Sequence, residues 1–209
     1  MVFNVYGLTE AGPRVSYLPC EMFDEIPQSV GQPLPGVEIK IVSTTMSDEE
    51  TMQLGEVWIK TPTIMIGYYK ALDVSNKRFR EEWFNTGDIG TLDEKNNLYI
   101  LGRSDDMLIK AGMNIYPQEV EKRILRIQEI EEVLVYGQIL NGIEQIGADI
   151  VLKENCEFES THDIMQKLSD TLPEYMMPSR ISIVKNLVRN ASGKVVRPSK
   201  KMRNVYGKV

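Results

Sequence analysis

Between Trp83 and Glu121 three polar clusters alternate with short apolar runs: Trp83-Phe84-Asn85-Thr86-Gly87-Asp88, then Leu98 to Asp106, then Lys110 to Glu121. This layout suits a polar ligand held between two compact bodies, and it sets the expected division of the chain. Asp88 is expected in a Thr-Gly-Asp turn, Asp93 to Asn97 in a hairpin turn, and Leu98 to Leu101 in the return strand. Arg103 and Asp105 follow that alternation, while Lys110 and Gly112 precede a helix that starts at Pro117. The short polar step 103–105 reads as a hinge, with residues 1–102 on one side and 106–209 on the other.

The first part reads as β-rich. Val2, Phe3 and Val5 look like the end of a buried strand, which then exits into a loop at Tyr6-Gly7-Leu8-Thr9-Glu10. Val37, Ile39 and Ile41 alternate with polar residues, as do Val57 and Ile59, and a polar loop is expected over Thr44–Met52. Trp58, Tyr68 and Tyr69 read as packing residues. The second part reads as a small α+β body in the order helix, strand, strand, helix, strand. Val120, Ile124 and Leu125 form the first helix's buried stripe, a turn lies at Asn141-Gly142, and Ser160 or Thr161 caps the second helix. Leu172 to Pro178 reads as an extended connector, and Ile181 to Val184 as the last strand. The fold class is therefore α+β: a partial β-rich subdomain followed by a small α+β domain.

Several residues carry chemistry. Tyr6 offers an aromatic face, Thr9 a hydroxyl, and Glu10 a carboxylate suited to a hard cation such as Mg²⁺; a surface turn is the bland alternative. The two oxygens of Asp88 can accept both hydrogens of a vicinal diol. Arg103 offers a planar fork to ribose or phosphate oxygens, or else a surface salt bridge. Gly193-Lys194 is not a nucleoside-triphosphate loop, because position 188 is Val where that loop needs Gly. His162, the one histidine, sits among Ser160, Thr161 and Asp163 as a solvated helix-start residue, which leaves a Ser-His-Asp hydrolase little to build on. A net charge of −6 argues against a broad nucleic-acid surface, despite basic residues at Lys194, Arg197, Lys200, Lys201 and Arg203. No apolar run is long enough to span a membrane. Cys20 and Cys156 have no metal spacing and point to a reducing, cytoplasmic setting.

In order along the chain, Tyr6-Gly7-Leu8-Thr9-Glu10, Thr86-Gly87-Asp88, Gly102-Arg103-Ser104-Asp105 and Gly193-Lys194-Val195-Val196-Arg197 resemble the signature of AMP-forming adenylating enzymes: acyl-CoA ligases, luciferases and peptide-synthetase adenylation domains. That family makes an acyl-adenylate from ATP and a carboxylic acid, then passes the acyl group to a thiol. The resemblance implies ATP/AMP, Mg²⁺ and CoA as cofactors. It implies nucleotide binding by Tyr6, Gly7, Thr9, Asp88 and Arg103, Mg²⁺ at Glu10, a pivot at Asp105, and 106–209 as a mobile lid. Lys194 would serve adenylation, and Lys110 with Gly112 the CoA side. The run Ile109 to Pro117 looks like the CoA-ligase branch, of the long-chain fatty acid–CoA ligase kind. Two alternatives stay open: an adenylation domain loading a carrier protein, and a non-catalytic binding or interaction fragment. Full-length members carry a large upstream body with a Ser/Thr/Gly/Lys-rich phosphate loop that is not found here, so the chain is expected to be a C-terminal part, inactive alone.

Overall fold

Alternating apolar residues build the strands of the first half, and long apolar stripes build the helices of the second. The computed structural model describes residues 3–43, 54–140, 143–154, 156 and 160–198. The expectations for Val2, the Thr44–Met52 loop, the Asn141-Gly142 turn and the basic Lys200, Lys201 and Arg203 fall outside these residues. The chain divides into two compact units, Met1–Asp105 and Asp106–Val209, and the fold is α+β.

In the first unit β1 (Asn4–Leu8), β2 (Gly12–Leu18) and β3 (Gln32–Pro33) form a three-stranded antiparallel sheet. A second sheet contains β4 (Glu38–Ser43), β5 (Gly55–Lys60), β6 (Phe79–Arg80), β7 (Trp83–Leu92) and β8 (Leu98–Arg103), with α1 (Leu72–Arg78) leading directly into β6. β7 is its hub, pairing with β5, β6 and β8. One core joins the two sheets: Ala11, Val15, Val57, Ile59, Phe84 and Leu98. The strand runs from Asn4 to Leu8 rather than ending at Val5, so Tyr6, Gly7 and Leu8 lie in β1 and not in an exit loop; Phe3, just before it, and Val5 are exposed, because Tyr6 and Leu8 supply the inward face. Tyr69 is also exposed, whereas Trp58 is buried as a packing residue. Helix α1 was not legible in the sequence: Leu72 and Val74 face solvent, so no apolar stripe announces it.

The second unit opens with a two-stranded ribbon, β9 (Leu108–Lys110) and β10 (Met113–Ile115), absent from the sequence expectation. Ala111 and Gly112 join the strands with φ of 52° and 79°, as a mirror-image two-residue hairpin turn requires. Helix α2 (Pro117–Ile124) starts on its proline. The long hairpin β11 (Ile130–Leu140) and β12 (Ile143–Leu152) follows. Helix α3 (Thr161–Ser169) comes next, and β13 (Arg180–Ile183) then lies parallel to β12. Ser160 and Asp163 form a reciprocal capping box on α3, next to the exposed His162. Val120, Ile124, Ile164 and Leu168 bury against Val133, Val135, Ile146 and Ile150. Leu125 is an exposed helix-end residue, and Ile127 takes the inward place expected of it. Within the Leu172 to Pro178 connector, Glu174–Met176 tightens into a 3₁₀ turn that buries Met176.

The second unit has its own core, so residues 106–209 expressed alone should unfold in urea in one cooperative transition. In that segment Leu168→Ala should cost about 2–5 kcal/mol, the scale of emptying a fully buried leucine site. A broad, non-cooperative response of the parent segment would show that it needs the first unit to fold.

Candidate functional site

The site in the first unit is built around an interruption in β7. Against β5, Trp58 pairs with Asn85 and Glu56 with Ile89, so Thr86, Gly87 and Asp88 together face Val57 alone. The expected turn is therefore a bulge inside a strand. Side chains hold it open. Thr86 Oγ1 donates to the Val57 carbonyl at 2.8 Å and accepts from Asp88 N at 3.0 Å, while Gly87 N donates to Asn85 Oδ1 at 2.8 Å. From β8 and the turn beyond it, Arg103 Nη1 donates to the Thr86 carbonyl at 2.9 Å and Ser104 Oγ to the Gly87 carbonyl at 3.0 Å. Gly87 has φ of 75°, and a Cβ there would lie 2.4 Å from Arg78 Nη1 and 2.9 Å from Arg103 Nη2.

The bulge aims Asp88 at two partners. Tyr6 Oη donates to Oδ2 at 2.5 Å, and Arg103 Nη1 donates to Oδ1 at 3.1 Å. The Asp88 side chain is 13% exposed. Burial, reinforced by the charge and hydrogen bond of Asp88, raises the Tyr6 phenol far above its ordinary range, so the hydroxyl stays a donor. Burial works against the Arg103 charge, but the Asp88 carboxylate outweighs it, and the guanidinium is held more firmly protonated than usual.

Thr9 and Glu10 occupy the tip of the β1–β2 hairpin, Thr9 exposed and Glu10 half-buried. Glu10 Oε1 accepts from Tyr68 Oη at 2.8 Å, and its carbonyl accepts from Met65 N at 2.7 Å. Burial and this bond raise the Tyr68 phenol. Gly7 sits at an irregularity in β1 where a Cβ would come within 2.4 Å of the Pro13 carbonyl oxygen. Among the described residues no three His, Cys, Asp or Glu side chains cluster as a metal site. Glu10 could offer one carboxylate oxygen to a hard cation whose remaining ligands came from elsewhere.

Sequence reasoning missed two side chains here. Tyr68 was assigned to packing, yet its hydroxyl holds Glu10. Arg78, at the end of α1, lies over Gly87 and reaches Asp105 Oδ2 at 3.4 Å; Arg103 Nη2 approaches the same oxygen at 3.8 Å. No spacing in the sequence links Arg78 to the bulge.

The second unit holds the other candidates. Lys110 ends β9 and donates to the Met177 carbonyl at 3.1 Å; Gly112 is the second of the two exposed residues of the hairpin turn. Both precede α2 as expected, with the unexpected strand β10 lying between. Lys194 sits on an exposed loop closed by the Arg189–Val195 bridge. Asn190 Oδ1 accepts from Ser192 N at 3.1 Å and Lys194 N at 2.9 Å, and Gly193 takes φ of 80°. The loop's backbone is thus shaped from within.

Comparison with known proteins finds relatives for the chain. A family model described as AMP-binding enzyme matches residues 1–69, and one described as AMP-binding enzyme C-terminal domain matches 119–194. A 2-succinylbenzoate–CoA ligase from Oceanobacillus iheyensis is 34% identical over 94% of this chain and 40% of its own length. A long-chain-fatty-acid–CoA ligase from Yersinia pestis is 28% identical over 92% of this chain and 34% of its own. The o-succinylbenzoate CoA synthetase from Bacillus subtilis, solved with the acyl-adenylate intermediate OSB-AMP, superposes with a TM-score of 0.83 at 32% identity, over 93% of this chain and 40% of that one. The same enzyme solved with ATP and magnesium gives 0.80 at 33% identity, over 93% and 40%. The chain therefore spans about 40% of the length of several of its matched relatives.

The bulge makes a stability prediction. Gly87→Ala should cost about 1–2 kcal/mol from its positive φ alone, and more because the new methyl displaces Arg78 from its place. Gly36→Ala shares the positive φ but meets open space, so it should lose only the backbone part. Equal losses in urea unfolding would mean that the arginine packing over Gly87 contributes nothing.

Proposed function

The chain belongs to the AMP-binding enzyme family, and from that membership we propose that it is the C-terminal part of an AMP-forming acid–CoA ligase, which turns a carboxylic acid and ATP into an acyl-adenylate and then an acyl-CoA. The observation that carries this reading is the meeting of Tyr6, Asp88 and Arg103 at the β7 bulge, in a chain that matches both family models. Each Asp88 oxygen keeps a second lone-pair direction beyond its present bond, and these receive the ribose hydroxyls. The aromatic face of Tyr6 stacks on the base, alongside the backbone at Gly7. Arg103 and Thr9 meet ribose and phosphate oxygens. Mg²⁺, when bound, neutralises phosphate charge, and Glu10 would hold it through one oxygen, a fit for a cation that binds few protein carboxylates and takes most ligands from phosphate and water.

Residues 106–209 act as a lid turning about Asp105. In one orientation Lys194 stabilises the charge on the carboxylate and phosphate during adenylation. In the other, Lys110 and the backbone at Gly112 line the approach of the CoA thiol. CoA rather than a carrier protein is the acceptor, supported by the CoA-ligase relatives. The higher identity to the 2-succinylbenzoate ligase supports an aromatic acid ahead of a long-chain fatty acid. We place the protein in a reducing cytoplasmic setting, on the same cysteine spacing read from the sequence.

The test joins this chain to the N-terminal body of a 2-succinylbenzoate–CoA ligase. The isolated chain should release no pyrophosphate above background from ATP with fatty or aromatic acids. The chimera should do so. In it Lys194→Ala should slow adenylate formation by about 10²-fold or more, the scale of losing one preorganised charge donor, while a supplied acyl-adenylate still reaches thioester. Lys110→Ala should slow mainly the thioester step. A Lys194→Ala chimera equally slow in both half-reactions, or in neither, would defeat the division of labour.

A further inference from the structure

The Lys194 loop is shaped from within, its flanks Leu187 and Val195 pack with Leu134 and Val151, and two arginines at its roots bond to the second unit. One root is Arg189, which donates to the Gly193 carbonyl at 3.0 Å and pairs with Glu132. That pair is roughly two-fifths exposed, where solvent leaves ion pairs weak. The other root is Arg197, three residues beyond Lys194 and 15% exposed. Its guanidinium is engaged on every side. Nη1 and Nη2 donate to the two oxygens of Glu121 at 2.8 and 3.2 Å, Nη1 also donates to the Val135 carbonyl, and Nε meets Asp106 Oδ2 at 3.2 Å. Glu121 in turn accepts from Val135 N at 2.7 Å, and Asp106 accepts from Gln118 at 3.3 Å. One side chain thereby joins the segment leaving the loop to α2, to β11 and to Asp106, the first residue of the unit.

We propose that Arg197 is a positioning residue for Lys194: its fork onto Glu121, Asp106 and the Val135 carbonyl sets where the loop presents the lysine, without touching substrate itself. This rests on the reading of Lys194 as the adenylation lysine. A planar, forked guanidinium is needed, because an ammonium group cannot satisfy a bidentate carboxylate, a carbonyl and a second carboxylate from one point. A rigid anchor matters at this place because a misplacement of about 1 Å in a reacting group can cost about 10²-fold in rate.

Arg197→Lys keeps the charge and tests the fork. In the 209-residue chain, amide hydrogen exchange at Gly193 to Val195 should quicken about tenfold or more, the scale of losing one charge-assisted hydrogen bond, with α2, β11 and β12 as protected as before. In the chimera the variant should lower kcat for adenylate formation with KM for ATP little changed, and leave thioester formation from supplied adenylate intact. Because Arg197 acts through Lys194, adding Arg197→Lys to Lys194→Ala should lose nothing further. Unchanged exchange in the loop overturns the proposal. So does loss of protection throughout the unit, which would make Arg197 a fold residue only, and so do additive losses in the double variant. If Lys194→Ala alone leaves adenylation unaffected, the assignment of Lys194 fails instead, and the exchange measurement still decides what Arg197 does.

Discussion

The first unit depends on how one nearly buried carboxylate is partnered. Asp88 would be costly to desolvate alone. Arg103 supplies the opposite charge and Tyr6 a proton that burial keeps on its oxygen. These three residues come from β1, β7 and β8, so the same contacts join the two sheets of the unit. The polar cluster and the architecture of the unit therefore rest on the same atoms. The partners of Asp88 orient its oxygens, and the site stays polar beside the apolar core of Val57, Phe84 and Leu98.

The fold was legible where periodicity had a buried face to report. Val57 and Ile59 in β5, Val120 and Ile124 in α2, and Ile164 and Leu168 in α3 all bury as their spacing implies. It was illegible where elements are short or solvent-facing. The ribbon of β9 and β10 has three residues per strand, too few to set a period, and α1 shows solvent its apolar residues. At β1 the strand was legible and its orientation was not. Phe3 and Val5 are the more apolar pair, but the neighbouring Tyr6 and Leu8 have the core to pack against.

The site divides in the same way. Residues named by motif could be placed one by one, but the contacts among them are tertiary. Thr86-Gly87-Asp88 looked like a turn because glycine beside aspartate usually marks one. Only pairing with β5 on one side and β8 on the other reveals a bulge. Tyr68 looked like core, and Arg78 belongs to no motif; both became visible through partners far away in sequence, Glu10 and Asp105. In the second unit, Asn190 shapes the Lys194 loop through near neighbours in sequence.

The carbonyls of the bulge have a consequence for biosynthesis. Thr86 and Gly87 are made well before the side chains that satisfy them, which arrive with Arg103 and Ser104. A nascent chain can lay down β5 and most of β7 and still carry an open, under-bonded loop where Asp88 belongs. Arg103 and Ser104 must emerge before these two carbonyls are satisfied, so a chain released or cleaved between Asp88 and Arg103 would keep Tyr6 beside the aspartate but lack its charged partner.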